Sequence, residues 1–577
     1  MNSHIDDTSL LPADRLAGQR AYRRQQQVRP IDLRLDANEG LGPDASLLEA
    51  VRDEFRATAR SYPDAASFEA MLARREGVEP ECVLATAGAD DALDRLCRVM
   101  LQPGRSALLT RPTFEMLPRF IRSAGGTCRE IPWMEGPFPA RAMAEAATPD
   151  TSMLFVVSPN NPTGNVANID DLRLLRAAAP RALLVLDHAY VEFADEDLTR
   201  AAMEMPGVAV TRTLSKAWGL AGMRAGYLVA EAQVVRWARQ AGLPYAVSGL
   251  SLALAQRHLV EGEDRTRRHV ARVRDEVREI GRLLASLGAR PMASQANFVL
   301  ARFTDAPLVA DLLAGAGIAV RSFPDHAELA DCLRIGCPGD PQAMDRLACA
   351  LRAAMKPRGL LFDLDGVLAD VSGSYRQAII ETAASFGVRV TREAIAAAKA
   401  AGNANNDWVL TQRLLAASGV QADLEEVTRR FETLYQGNGG SRGLRDTERL
   451  LVERGQLQRW ASERPLAIVT GRPRVDAERF LDRFGIRECF RVLVCMEDAP
   501  LKPDPSPVQL AMERLGIEHA WMIGDTVDDV LAARGAGVIP FGVAAPGEDI
   551  ARATDTLTRA GAARVLSATS RLSELLP

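Results

Sequence analysis

Two stretches of this chain put acids where acids are costly. In FDLDGVLAD, Asp363 and Asp365 leave the end of an apolar run two residues apart, so both can point into one crevice. Carboxylates that close repel unless a cation lies between them or one is protonated. Mg2+, which prefers oxygen ligands, is the cation expected. Asp363 would then take a phosphoryl group as nucleophile, and Asp365 would give the leaving oxygen its proton. Later stretches follow in the order such chemistry needs. Thr470 in AIVTGR offers a hydroxyl to phosphoryl oxygens and Lys502 in LKPDPSP a fixed cation. Asp525 in WMIGDTVDD is a third metal ligand, and Asp529 an anchor for the lysine. In-line phosphoryl transfer needs mainly positioning and charge neutralisation, and this set supplies both.

The second costly acid is Asp187 in VLDHAYVEF, at the end of a continuous apolar strand. An unpaired acid there is unfavourable. A protonated pyridine nitrogen is a partner that explains it, and a cationic ring stabilises a carbanion. The plainer reading is a capping acid beside a core tyrosine, Tyr190. Lys216, in TRTLSKAWGLAGMRAGY, follows a strand in a setting of small residues that suits a Schiff base with an aldehyde cofactor. Arg224, eight positions on, can hold a phosphate with Thr213 and Ser215. Tyr190, and Asn161 in SPNNPTG, can reach a phenolate oxygen. Gly88-Ala89-Asp90 open a helix whose free N–H groups bind phosphate. Together these residues point to pyridoxal phosphate.

The elements that must position these residues fall into two series. CVLATAG, SALLT, MLFVVS, ALLVLDHAY and VAVTRTLS read as strands, each followed by turn chemistry and a helical period, which gives a mostly parallel sheet over about 65–245. Residues 250–290 read as long helices. A second βα series starts at GLLFDLDGVLAD and continues through LAIVTG, VLVCM, WMIGD and GVIPFGV, with a helix-rich insert over about 370–445. The domains expected are therefore 1–356, with a large part over 65–245 and a small part from both flanks, and 357–577. The junction Lys356-Pro357-Arg358-Gly359 is no Gly/Ser tether. Residues 1–30 read as a polar helix or arm.

At 577 residues, with 47% hydrophobic and 25% charged residues, the chain holds several cores. Lys+Arg 70 against Asp+Glu 75 leaves a net charge of −5, with no basic field for nucleic acid or a membrane surface. The eight cysteines show no C-x-x-C pair, which fits reduced thiols in the cytoplasm. The N-terminus lacks the basic and apolar regions of a signal peptide, and no apolar run approaches the roughly 20 residues of a membrane span.

Residues of about 30–350 resemble the histidinol-phosphate aminotransferase family, a branch of the fold-type-I pyridoxal-phosphate aminotransferases. The stretches that carry the resemblance are LDANEGLGP, SYPD, ATAGADDALDRL, SPNNPTG, VLDHAYVEF, TLSKAWGLAGMRAGY, QANFVL, GIAVRSF and CLRIG. The resemblance implies an α/β aminotransferase fold with a small α+β domain. It implies Lys216 as Schiff-base lysine and proton carrier, Asp187, Tyr190 and Asn161 on the ring, and Ala89, Asp90, Ser215 and Arg224 at the phosphate. Tyr62 would reach the phosphate of a neighbouring subunit's cofactor, which implies a homodimer. Arg321 and Arg334 would bind the substrate's anionic end. Two residues depart from the pattern. Phe114 stands where an aromatic hydroxyl stacks on the ring, and His188 stands where a Glu follows the Asp.

Residues of about 358–575 resemble the haloacid-dehalogenase superfamily, a Rossmann-like core with a helical cap, and Asp365 and Asp525 argue for its phosphotransfer branch. Cap residues Asn403, Asn405, Asn406, Asp407 and Trp408 in GNANNDWVL would either select substrate or serve as a helix cap and a core anchor. The fusion then implies two consecutive steps of histidine synthesis, in which histidinol phosphate is made and then dephosphorylated. The same chemistries on another amino-phosphate or an aromatic amino acid, decarboxylation of a phosphorylated amino acid, and one half acting as a non-catalytic regulatory module are the alternatives.

Overall fold

The computed structural model describes residues 13–16, 27–53, 55–402, 406–438 and 441–577. Most of the arm expected over residues 1–30, and Asn403 and Asn405, lie outside them. The chain divides into two compact units.

The first unit holds Leu35–Thr304 and Arg321–Met344. Its centre is a seven-stranded sheet. In space the strands run Val83–Thr86, Gly226–Ala230, Val208–Thr213, Leu183–Asp187, Thr151–Val157, Ser106–Arg111 and Thr127–Pro132. The five stretches read from apolar runs form strands that all run one way, and the reversed strand is Gly226–Ala230, which pairs antiparallel with both Val83–Thr86 and Val208–Thr213. Strands buried on both faces need continuous apolar sequence, and these have it. Thr127–Pro132, at the edge, is half exposed, and its mixed sequence gave no strand signal. Helices Gly249–Glu261 and Glu263–Ser286 fill the long helical stretch. A four-stranded antiparallel sheet, Arg321–Ser322, Cys332–Gly336, Phe298–Arg302 and Arg290–Pro291, completes the unit.

The second unit is built on a six-stranded parallel sheet. Its order is Phe490–Val494, Leu466–Val469, Gly359–Phe362, Ala520–Gly524, Ile539–Val543 and Arg564–Leu566. Four helices, Tyr375–Ser385, Arg392–Ala400, Asp407–Ala417 and Leu424–Gln436, form the insert behind the first strand.

This unit also takes in Asp305–Val320, the chain from Asp345 onward and the described part of Gln25–Arg34, so its edge does not coincide with the junction at Lys356. The reason is packing. Leu312, Ala353 and Ala354 share one apolar cluster with Phe362, Trp521 and Phe541. Trp521 donates its indole N–H to the Ala353 carbonyl at 2.8 Å. Arg534 donates to the Gly315 carbonyl at 2.8 Å, and Arg29 to the Ala562 carbonyl at 2.9 Å. Asp311 receives both Arg29 and Arg564. Sequence upstream of the junction thus closes the core of the downstream sheet. Leu312 is 1% exposed, so Leu312→Ala should cost about 2–5 kcal/mol. Calorimetry should show the transition that tracks phosphatase inactivation moving down, and an unmoved transition would contradict the shared core.

Candidate active sites

Both candidate sites lie at the carboxyl ends of parallel strands, where α/β folds place ligand crevices. In the first unit, the strand Leu183–Asp187 delivers Asp187 to that edge, 3% exposed. Its Oδ1 accepts from Thr211 Oγ1 at 3.1 Å and the Ala189 N–H at 3.2 Å. Burial pushes its carboxyl up to about 7, and the hydrogen bond from Thr211 only partly offsets this. A buried acid held so far above its ordinary range lacks a cation, and a protonated ring nitrogen fits that need.

Lys216 donates Nζ to the Ala37 carbonyl at 3.2 Å and lies 5.5 Å from the Tyr190 ring centroid. The Tyr190 hydroxyl accepts from Asn38 Nδ2 at 3.1 Å, and its ring meets Phe298 edge-on. Asn38 has φ 55°, the left-handed region, and its Oδ1 is buried without a hydrogen bond among the described residues. Sequence reading missed Asn38. The stretch LDANEG carries it, but nothing in its spacing marks a left-handed residue.

The phosphate end is built from a helix start and a turn. Gly88 caps the helix Ala89–Met100 with φ 83°, leaving the first N–H groups free. Gly226 lets its strand approach, because a Cβ there would sit 2.6 Å from the Gly88 carbonyl carbon. Thr213 Oγ1 and Ser215 Oγ are 2.9 Å apart, Arg224 Nη1 reaches Ser215 Oγ at 3.4 Å, and Arg224 Nη2 reaches Asp90 Oδ2 at 3.4 Å. Ala89 and Asp90 are the first residues of that helix.

The remaining expected residues are placed as follows. Arg334 donates to Asn161 Oδ1 at 2.5 Å and the Asp36 carbonyl at 2.7 Å, with its guanidinium over Phe298. Asn161 is thus tied to the arginine. Arg321 is paired with Glu115 at 3.1 Å. Phe114 packs half-buried against the apolar cluster of the large sheet. Tyr62 is 81% exposed and stacks on Tyr245 at 4.6 Å. His188 is buried with Nδ1 3.2 Å from Thr199 Oγ1, and burial drives its pKa down to about 3, so it is uncharged. Beside it Arg212 gathers Glu76, Glu192 and Asp197.

In the second unit, Asp363, Asp525 and Asp529 offer carboxylate oxygens within 4.8 Å of one another. Lys502 Nζ donates to Asp363 Oδ1 at 2.7 Å, Asp529 Oδ1 at 2.5 Å and the Val469 carbonyl at 3.0 Å. Asp529 also closes a capping box with Thr526, which fixes it at the start of the helix Val527–Gly535. Burial opposes the charge of Lys502, but the two carboxylates outweigh it and hold the ammonium above its ordinary range. Burial pushes Asp363 up to about 7 despite Lys502, and raises Asp525 well above its ordinary range. Three clustered acids against one lysine leave excess negative charge, and a divalent cation fits the donor set. Gly366, with φ 76°, makes room for Asp525, whose Oδ2 would lie 2.2 Å from a Cβ there.

Asp365 is placed differently from these three. Its Oδ1 is taken by Arg472 Nε at 2.6 Å and Nη2 at 2.5 Å, and its carboxylate lies outside the three-acid group. Arg472 is buried, bonded also to Glu448 at 3.2 Å and stacked over Tyr375. It stands in the same TGR stretch as Thr470, whose Oγ1 accepts the Arg472 N–H at 3.2 Å. Sequence reading took the threonine and passed over the arginine. It also missed Arg376, 3.9 Å from Asp525, and Lys399, 3.7 Å from Asp407. Asn406 caps the helix Asp407–Ala417 and Trp408 donates to Glu432 at 3.1 Å, so these two are helix cap and anchor.

Comparison with known proteins agrees with both geometries. Residues 357–537 match the haloacid dehalogenase-like hydrolase family, and residues 30–351 match aminotransferase class I and II. A histidinol-phosphate aminotransferase of Xanthomonas euvesicatoria is 36% identical over 292 residues, 48% of this chain and 80% of the relative. An aromatic amino acid aminotransferase of Thermobifida fusca is 35% identical over 319 residues, 54% of this chain and 88% of the relative. A Phytophthora nicotianae protein named imidazoleglycerol-phosphate dehydratase is 51% identical over 197 residues, 33% of this chain and only 44% of that relative. The structure of histidinol-phosphate aminotransferase from Sinorhizobium meliloti in complex with pyridoxal-5'-phosphate aligns with TM-score 0.52 and 28% identity, over 56% of this chain and 91% of that one. The chain belongs to the aminotransferase class I and II family, whose cofactor is pyridoxal phosphate, and carries a haloacid dehalogenase-like hydrolase domain behind it.

Proposed function

We propose that the chain catalyses two consecutive reactions: transfer of an amino group from glutamate to imidazole-acetol phosphate, giving histidinol phosphate, and hydrolysis of that ester to histidinol. The observation that carries this reading is the pairing itself. An aminotransferase domain similar to histidinol-phosphate aminotransferases sits on one chain with a domain equipped to cleave phosphate esters. Its similarity to an aromatic amino acid aminotransferase supports a second reading, in which the first half takes an aromatic amino acid.

In the first half, bound pyridoxal phosphate supplies an electron sink for the carbanion left when the α-proton departs. Asp187, held by Thr211 and the Ala189 N–H, would pair with the protonated ring nitrogen. Lys216 Nζ, near Tyr190, would take the proton from the substrate's α-carbon. Arg334, fixed by Asn161 and the Asp36 carbonyl, presents its guanidinium to the substrate's anionic end, with Arg321 beside Glu115 as the second cation. Thr213, Ser215 and Arg224 orient the cofactor phosphate together with the helix start at Gly88-Ala89-Asp90. Tyr62, exposed and stacked on Tyr245, reaches the cofactor phosphate of a second copy in a homodimer.

In the second half, magnesium held by Asp363, Asp525 and Asp529 would offset the charge of the acids and the phosphoryl oxygens. A carboxylate oxygen of Asp363 attacks phosphorus, and the bond to the alcohol oxygen breaks. Asp365 gives that oxygen a proton from Oδ2, the atom Arg472 leaves free. Water then attacks the phosphorus of the aspartyl-phosphate, Asp365 takes its proton, and inorganic phosphate leaves. Thr470 and Lys502 hold the phosphoryl oxygens and the nucleophile in line. The eight reduced thiols suit a cytoplasmic setting.

Purified protein given histidinol phosphate and Mg2+ should release phosphate, and Asp365→Asn should slow this by at least about 10²-fold. Lys216→Ala should abolish transamination and the cofactor's absorbance while leaving phosphate release, and Asp363→Asn should do the reverse. Turnover of generic esters with none of histidinol phosphate would refute the assignment. Asp187 gives a separate check. Its carboxyl is raised to about 7 by burial, so the folded, cofactor-free protein binds the proton more tightly than the unfolded chain does. The resulting destabilisation is absent below pH 4 and complete above pH 7. Asp187→Asn should therefore raise the Tm of cofactor-free protein at pH 8, leave it unchanged near pH 4, and lower cofactor affinity. A mutant less stable at pH 8 would contradict the buried-acid account.

A further inference from the structure

The helical insert leaves the sheet at Ser374 and returns at Glu448, and its two ends meet. Ser374 Oγ donates to Glu448 Oε1 at 2.9 Å. Tyr435, near the end of the helix Leu424–Gln436, donates its hydroxyl to the same oxygen at 3.2 Å. The strand Arg449–Leu450, next after Glu448, pairs antiparallel with Ala369–Asp370, just downstream of Asp365. Glu448 is thus tied down on several sides and is 4% exposed. An acid so buried needs a cation. Arg472 supplies it, with Nη1 and Nη2 each 3.2 Å from a Glu448 oxygen. The guanidinium also lies over the rings of Tyr375 and Phe480, 4.8 and 5.5 Å from their centroids. Glu448 already gives Arg472 its counter-charge. Yet Nε and Nη2 both turn to Asp365 Oδ1, at 2.6 and 2.5 Å, and Asp365 is the most open of the three charged groups, its side chain 22% exposed. A rigid planar fork that closes on one carboxylate oxygen fixes the carboxyl and leaves the second oxygen unclaimed by it.

Resting on the phosphatase reading of this site, we propose that Glu448 and Arg472 are positioning residues for Asp365, and that the two ends of the insert thereby take part in protonating the leaving oxygen. Glu448, held by Ser374 and Tyr435, sets the guanidinium. The guanidinium sets the Asp365 carboxyl, whose Oδ2 gives its proton to the alcohol oxygen as the bond from that oxygen to phosphorus breaks. The nucleophile Asp363 has its own holder in Lys502, so loosening the Glu448–Arg472 pair tells on departure of the alcohol more than on attack. A group misplaced by about 1 Å can cost about 10²-fold. That cost falls on esters whose alcohol is basic, because a good leaving group departs without the proton. An ion pair that only braced the fold would slow every ester alike.

The test sets benzyl phosphate and histidinol phosphate, whose alcohols are basic, against 4-nitrophenyl phosphate, whose phenol leaves readily. kcat/KM is measured with the full chain in Mg2+, since it covers only the steps up to departure of the alcohol and hydrolysis of the aspartyl-phosphate does not enter it. Glu448→Gln keeps the shape and removes the charge, and Arg472→Lys keeps the charge and removes the fork. Tyr435→Phe, which takes only one hydroxyl from Glu448, is included in case the other two fold poorly. Glu448→Gln and Arg472→Lys should slow the two alkyl esters about tenfold or more beyond any loss on the aryl ester, and Tyr435→Phe should shift the ratio the same way by less. In an Asp365→Asn background the same substitutions should leave the alkyl-to-aryl ratio where Asp365→Asn alone has put it. Equal slowing of all three esters, or a further fall of the ratio in the Asp365→Asn background, would overturn the positioning role and leave the phosphatase reading standing. A wild type that cleaves none of the three would sink that reading and this inference with it.

Discussion

Buried carboxylates short of positive charge set the terms for the rest of this structure. Asp187 in one unit, and Asp363 and Asp525 in the other, sit at the carboxyl ends of apolar parallel strands, where solvation is poorest, and Asp529 opens the helix that follows Asp525. Desolvation lifts Asp187 and Asp363 to about 7 and Asp525 well above its ordinary range. A fold that spends stability on such groups needs something to hold them in place without their ligands. Thr211 does this for Asp187, Lys502 for Asp363 and Asp529, and the Thr526 capping box for Asp529. Each holds its acid through one or two hydrogen bonds and leaves further carboxylate capacity for the cation that arrives with the chemistry.

A second tier of residues fixes two buried arginines beside the candidate sites. Arg334 is gripped by Asn161 and the Asp36 carbonyl, residues far from it in sequence, so its guanidinium has one orientation. Arg472 is gripped by Glu448 and stacked over Tyr375, and only then reaches Asp365. Both arginines are buried; removing Glu448 would take one of the two carboxylates that balance Arg472, and removing Asn161 would take a hydrogen bond from Arg334. His188 belongs to this tier in a negative sense. Burial keeps it neutral, so the demands of Arg212 are met by Glu76, Glu192 and Asp197, and the loop that carries Tyr190 keeps its shape without a carboxylate at position 188.

Much of this was legible because strand-end chemistry is local. An apolar run that stops at an acid announces both a buried strand and a ligand edge, which is why Asp187, Asp363 and Asp525 could be read from a few neighbours. Asn38, Arg376, Lys399 and Arg472 could not. Their roles come from segments that meet only in the folded chain, and an arginine or lysine on an amphipathic helix looks like any solvated one. The edge of the second unit was illegible for the same reason. The helix Ala306–Gly315 is apolar enough to be buried, but nothing in its sequence says that Leu312 will join the cluster of Phe362 and Trp521.

The two sites also show how one fold class treats a phosphoryl group in opposite ways. At the first, the groups arranged for a phosphate are backbone N–H donors after Gly88, two hydroxyls and a half-exposed arginine. Both hydroxyls are engaged, since Thr213 donates to Ser215 and Ser215 also accepts from Arg224. A phosphate there is held and left intact. At the second, the group proposed to meet phosphorus is the buried Asp363 carboxylate, with one oxygen bound by the Lys502 ammonium. Burial works against the charge on that carboxylate, and the Lys502 ammonium is what favours it. Holding and cleaving therefore differ less in the number of donors than in whether a desolvated anion faces the phosphorus, and that follows from which residue the sequence places at the last position of a parallel strand.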